Sequence, residues 1–153
     1  MRIMGVAARL GIDTLRDASM DALNAIKNDI SAEDYIRAKF VIEEKDRVLA
    51  VCDALNAGDY DTVGRMMYET HQGLSRDYEV SCEELDFLND VARECGVTGS
   101  RIMGGGFGGC TINLVPNALV DSFIATAIER FESRYGHAPA IYPVIISDGA
   151  RRL

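Results

Sequence analysis

Basic side chains are scarce in this chain. Sixteen lysines and arginines stand against 24 aspartates and glutamates, so the 153 residues carry a net charge of −8. Nucleic-acid backbones are held by clustered cations, and the one basic pair near an end, Arg151-Arg152, makes no groove. No nucleic-acid partner is expected. Histidine occurs twice, and none of the four cysteines, Cys52, Cys82, Cys95 and Cys110, stands in a C-x-x-C pair. That leaves too few donors, at the wrong spacing, for a zinc constellation. Long apolar runs are missing too. Nothing approaches the roughly 20 residues of a membrane span, and the run in MRIMGVAARLG is too short and broken for a signal peptide. Repeats, low-complexity tracts and linkers are also absent. These absences point to reduced thiols and a cytoplasmic location.

What is present is ordinary for a globular domain: 48% hydrophobic and 26% charged residues. A domain of this length buries roughly 70% of its unfolded surface. The chain reads as one domain, 1–153. Its first 97 residues carry helical patterns and the last 56 read as strands with one long helix. Residues 1 to 10 and 20 to 29 suggest short helices. Ser31, with Asp34 three positions on, caps a helix to about Leu55 that places Ala38, Val41, Val48, Cys52 and Leu55 on one face. Asn56-Ala57-Gly58 stops it. Asp59 caps the next helix, whose stripe is Val63, Met66, Met67, Leu74 and Tyr78. Ser81 and Glu84 form a capping box for a helix with Leu85, Leu88, Ala92 and Cys95 on one face, ended by Gly96. Val97 to Met103 and Cys110 to Val115 read as strands. A helix from Pro116-Asn117 to Tyr135 follows, and Gly136 ends it. Ala140 to Ile146 reads as a third strand, at a sheet edge because Pro143 has no N–H. The pattern predicts an α+β fold: a helix-rich domain with a small, mainly antiparallel sheet covered by helices on one face.

Five of the 14 glycines fall within residues 104–109, as Gly104-Gly105-Gly106-Phe107-Gly108-Gly109. Positions 104, 106 and 109 satisfy G-x-G-x-x-G, but a dinucleotide fingerprint must open a helix and here a strand pattern follows. A P-loop fails because Gly-Gly-Cys-Thr stands where Gly-Lys-Ser/Thr is needed. A strand–loop–strand phosphate loop, with backbone N–H groups forming an anion-binding concavity, and a structural turn packed by Phe107 both remain open. Of the two histidines, His71 reads as a structural residue hydrogen-bonded between helices, and His137 as exposed. Glu43-Glu44 reads as a solvated helix face, Asp86 as a charge stabilising a helix start, and the cysteines as core residues.

The stretch SRIMGGGFGGCTINLV resembles the third conserved motif of the kinase family that contains galactokinase, homoserine kinase, mevalonate kinase and phosphomevalonate kinase. GDYDTVGRMMYETHQGLSRDYEVSCEELDFL, Gly58 to Leu88, is similar to the galactokinase branch, where a histidine-bearing helix precedes Tyr-x-Val-Ser-Cys-x-Glu-Leu-Asp. Here that run is Tyr78, Val80, Ser81, Cys82, Glu84, Leu85 and Asp86. The likeness extends over essentially the whole chain. It implies the family's ferredoxin-like C-terminal domain and an enzyme that moves the γ-phosphoryl of MgATP to the C1 hydroxyl of galactose. It also implies that an N-terminal domain carries the sugar motif, a serine-rich phosphate loop, a catalytic aspartate and an arginine. None of these is found here; Gly73-Leu74-Ser75 lies in a helical pattern with no serine run. The resemblance therefore assigns no catalytic residue and no metal ligand to this chain. It gives Ser100, Arg101, Gly104, Gly105, Gly106, Phe107, Gly108 and Gly109 a nucleotide- or active-site-adjacent role, with Met103 where many relatives have threonine. Inactivity of the chain alone, pairing with the N-terminal kinase domain, and self-association through uncovered apolar surface are expected. Another sugar-1-kinase, or a non-catalytic galactose-responsive sensor or interaction module, are the alternative readings.

Overall fold

The structure, a computed structural model, describes residues 2–145, with side chains from residue 5 onward. The chain forms α1 (Arg2–Arg9), a 3₁₀ turn (Leu15–Asp17), α2 (Met20–Ala25), a second 3₁₀ turn (Lys27–Asp29), α3 (Ala32–Ala57), α4 (Tyr60–Arg76) and α5 (Glu83–Glu94). After these come β1 (Gly99–Met103), β2 (Cys110–Leu114), a 3₁₀ turn (Asn117–Leu119) and α6 (Val120–Tyr135). No helix among the described residues is long and apolar enough to cross a membrane.

Local chemistry sets most of these boundaries. The Ser31 hydroxyl accepts from the Asp34 N–H at 3.1 Å, and the Asp59 carboxylate accepts from the Thr62 N–H at 3.0 Å, each satisfying a donor that the first helical turn leaves free. Gly58 and Gly136 end α3 and α6 in the left-handed conformation, with φ of 70° and 78°. The Ser81–Glu84 box does not form. Cys82 is the cap residue of α5 and makes no side-chain cap bond, while the Ser81 hydroxyl is taken by the Asp86 carboxylate.

Two apolar cores result. One joins α1, α2 and α3 through Val6, Leu15, Leu23, Ala38 and Ile42; the other joins α5, the approach to β1, and α6 through Val91, Val97, Phe123 and Ala127. Each fully buried Leu or Ile of this kind contributes about 1.5–3 kcal/mol. Helix α4 lies between them, packed on α3 and on β1. Its seat on β1 depends on two glycines. A Cβ on Gly64 would stand 1.9 Å from the Thr98 carbonyl oxygen, and a Cβ on Gly99 would stand 2.6 Å from the Gly64 Cα. Helix and strand thus meet backbone to backbone.

Among the described residues the sheet has two antiparallel strands, Gly99 opposite Leu114 and Met103 opposite Cys110. The expected third strand is not formed over residues 140–145, which belong to no element; residue 146 lies outside the described residues. Pro143 removes a ladder donor there, and Tyr142, Val144 and Ile145 stand largely exposed. The expected face of α3 also holds only in its first half. Ala38 is buried, but Val48, Cys52 and Leu55 face solvent, and the buried residues of the second half reduce to Ala54. The cysteines are not core residues either: Cys52 is exposed, the other three half-buried, and all four are free. Glu44 is not simply solvated, since it accepts from Thr70 of α4 at 2.9 Å and pairs with Arg47.

Gly64→Ala should destabilise the protein by about 1–3 kcal/mol, because the methyl group meets backbone that cannot rotate away. Gly5→Ala, with nothing among the described residues within 4 Å of its added Cβ, should instead gain roughly 0.5–1 kcal/mol of helix propensity. Urea unfolding of both variants checks the pair, and equal effects would refute the tight seat of α4.

Candidate functional site around the glycine loop

The β1–β2 hairpin closes through residues 104–109. A two-residue turn would suffice for such a hairpin; this one is a wider loop with an unusual backbone. Gly104, Gly106, Gly108 and Gly109 take φ of 83°, 81°, 123° and 94°, and Phe107 between them takes 59°. L-residues with a Cβ rarely adopt that region, so glycine is required at most of these positions. Phe107 bears the strain of a left-handed conformation without that freedom.

Among the described residues, a contact with Val80 fixes the loop. The Phe107 N–H donates to the Val80 carbonyl at 2.6 Å. A Cβ on Gly106 would stand 2.2 Å from the same oxygen, so any side chain at 106 would push the loop off its seat. The Phe107 ring is 78% exposed; the turn is not packed by its phenylalanine, which removes that explanation of the glycine cluster. Met103 and Ile112, on the adjoining strands, are exposed as well. Loop and strand ends together present a small apolar surface around a glycine backbone.

The flanking residues separate. Arg101 is half-buried, its guanidinium reaching the Ile102 carbonyl at 3.3 Å, and it pairs with no carboxylate among the described residues. Ser100 is fully buried at the other end of β1, and its Oγ has no partner among the described residues. Its carbonyl accepts from the Asn89 side chain of α5 at 2.8 Å. It is a core residue four positions, roughly 13 Å of strand, before the first loop residue. Residues 104–109 are therefore brought together as one feature; Arg101 lies at its edge, and Ser100 does not join it.

Val80 sits in the α4–α5 connection, which is itself tied down. The Val80 N–H donates to the Leu74 carbonyl at 2.9 Å, and Arg37 of α3 pairs with Glu79 at 2.9 Å. Next to it, Asp86 gathers three donors: Ser75 Oγ at 2.8 Å, His71 Nε2 at 3.1 Å and the Ser81 hydroxyl. His71 is thus a helix-bridging structural histidine, buried at 5% exposure. Its Nδ1 has no partner among the described residues. With Nε2–H given to Asp86, Nδ1 is left bare, which describes the neutral ring. Burial pushes the imidazole pKa down, and the Asp86 carboxylate only partly opposes it. His137 is exposed and lies edge-on to Phe131. The network of Ser75, Ser81 and Asp86 was not legible as a network. Its nearest sequence signals were an acidic residue in a helix's first turn and a serine three residues before Glu84.

Residues 52–134 match the family described as "GHMP kinases C terminal". Galactokinase of Homo sapiens is 41% identical over 149 residues, covering 97% of this chain and 37% of that protein. Galactokinase of Roseiflexus sp. strain RS-1 is 40% identical over 144 residues, covering 94% and 37%. Among solved structures, Lactococcus lactis galactokinase complexed with galactose superposes with a TM-score of 0.80 at 30% identity, covering 89% of this chain and 36% of that one. The chain spans under two-fifths of the length of these relatives.

A buried histidine with a depressed pKa lowers stability in acid. Below about pH 6.5 the unfolded chain binds a proton that native His71 resists, so stability falls from there down through the folded pKa. His71→Gln keeps a donor for Asp86 and cannot titrate. It should flatten the loss of urea stability between about pH 7.5 and 5.5; identical pH slopes in both proteins would refute the assignment.

Proposed function

Because this chain belongs to the GHMP kinase family, we propose that it is the C-terminal part of a galactokinase, an enzyme that transfers the γ-phosphoryl group of ATP to the C1 hydroxyl of galactose. The observation that carries the reading is the glycine loop. It has the family's motif, a left-handed backbone at five of its six positions, and a fixed seat on Val80. About 40% identity to galactokinases across nearly the whole chain supports the choice of sugar. On this reading residues 1–153 act as one domain of a cytoplasmic enzyme, its thiols free.

Phosphoryl transfer asks a protein mainly for positioning and for charge stabilisation. Residues 104–109 are suited to the first task. A glycine backbone lets a phosphate group or a neighbouring loop come within van der Waals reach, and its N–H groups can face an anion without a side chain between. ATP, with its magnesium ion, would lie against this loop and supply the transferred group. No set of three or more His, Cys, Asp or Glu side chains among the described residues is grouped to hold a cation. On this reading the nucleotide phosphates and the N-terminal kinase domain hold the magnesium ion. No serine-rich phosphate loop or matching catalytic aspartate occurs in the 153 residues, so the chain by itself would lack the reaction's chemical groups. Met103, Phe107 and Ile112, exposed around the loop, would be covered by the N-terminal kinase domain. Left uncovered, they would favour self-association.

A coupled ATPase assay with galactose and Mg²⁺ tests this. The chain alone should give no galactose-dependent turnover, and a mixture with a galactokinase N-terminal domain should restore it. Gly106→Ala should lower the restored rate by about a hundredfold, since a displacement of the order of 1 Å at an active site has that effect. Turnover by the chain alone would refute the division of labour. A mixture that stays silent would favour an interaction module over a half-enzyme.

A further inference from the structure

We propose that Asp86 is the positioning residue of the glycine loop, holding it through Ser81 and Val80. The loop touches the rest of the protein at Val80, where the Phe107 N–H meets the carbonyl at 2.6 Å and Gly106 lies against the same group. The orientation of the Val80 carbonyl therefore sets where the loop stands. Local preference does not fix that orientation. Glu79, just before it, is in the left-handed region at φ 56°, which a glutamate adopts only when its surroundings impose it.

The restraint comes from both sides of the α4–α5 connection. On the α4 side the Val80 N–H is bound by the Leu74 carbonyl. On the α5 side the Ser81 hydroxyl donates to Asp86 Oδ1, the oxygen that His71 Nε2 also approaches, while Oδ2 takes Ser75 Oγ at 2.8 Å. Two of the donors, His71 and Ser75, belong to α4, and the carboxylate belongs to α5. One side chain thus locks both helices to the residue that follows Val80. Hydrogen bonds to a carboxylate are stronger than those between neutral groups, and no other carboxylate bonds to Ser75 or Ser81 among the described residues. Without Asp86, the Ser81 and Ser75 hydroxyls and the His71 N–H lose their common acceptor, and the carbonyl under the loop keeps only its α4-side restraint. The holding of the loop stands on this geometry alone. Its effect on phosphoryl transfer rests on the kinase reading above.

Backbone amide exchange, followed by NMR on the whole chain, tests the proposal without any assay of activity. In Asp86→Ala the Phe107 amide should exchange faster by about fivefold or more, the size of one lost hydrogen bond. The amides of Val91, Ala92 and Ile102, in the core beneath, should hardly change. Asp86→Asn keeps acceptor capacity and should recover part of the protection. Ser81→Ala removes only the hydroxyl link, so it supplies the same reading if Asp86→Ala fails to fold. Selective loss at Phe107 in either variant supports the assignment. An unchanged Phe107, or equal acceleration of loop and core, overturns it.

Discussion

The arrangement hangs on the closeness of Gly64 to Gly99. With no side chain between them, α4 lies directly on β1, and that contact sets the end of the helix against the end of the strand. The helix carries His71 and Ser75 to Asp86, and its last turn holds the Val80 N–H. The strand carries the other partner, because β1 leads straight into the loop that rests on Val80. Helix end and strand end are therefore brought to one point by packing that occurs at their opposite ends. A lever of this kind passes small displacements at residue 64 on to residues 104–109, since close-packed interiors have little slack to absorb them.

Much of this was legible in the sequence where the cause is local. A serine or aspartate before a helix and a glycine after one act within a few residues, and Ser31, Asp59, Gly58 and Gly136 do what their positions imply. The glycine cluster announced an unusual loop for the same reason. The failures are non-local. Spacing put Val48, Cys52 and Leu55 on one face of α3, and they do share a face. Periodicity cannot say whether anything covers it, and among the described residues it stands open. Ala140 to Ile146 has a strand's composition, but a strand exists only through a partner's ladder. Ser81 looked like a helix cap because Glu84 follows it by three; a charged acceptor two residues further on captured its hydroxyl instead.

The candidate site divides the same way. Residues 104–109 were visible as a group because five glycines have no ordinary use in a hairpin. What holds them was not visible, because Val80 and Asp86 lie some twenty residues earlier and look unremarkable in isolation. Ser100 enters the group through the resemblance, as a flanking position of the family's motif. A strand separates its two faces and its two ends, so Ser100 points into the core while the loop stands clear of it.

Phe107 places a bare aromatic ring in water on a backbone that is already fixed. Flexible loops that close over a partner lose conformational freedom at the moment of contact, and this loss weakens association. Here the main chain gave up that freedom when the domain folded. Only two side-chain torsions remain to be restricted, while the apolar area available for burial is that of a whole phenyl ring. Whatever surface meets this ring gains its desolvation with little entropic opposition, and contact at the loop can be quick to form without being loose.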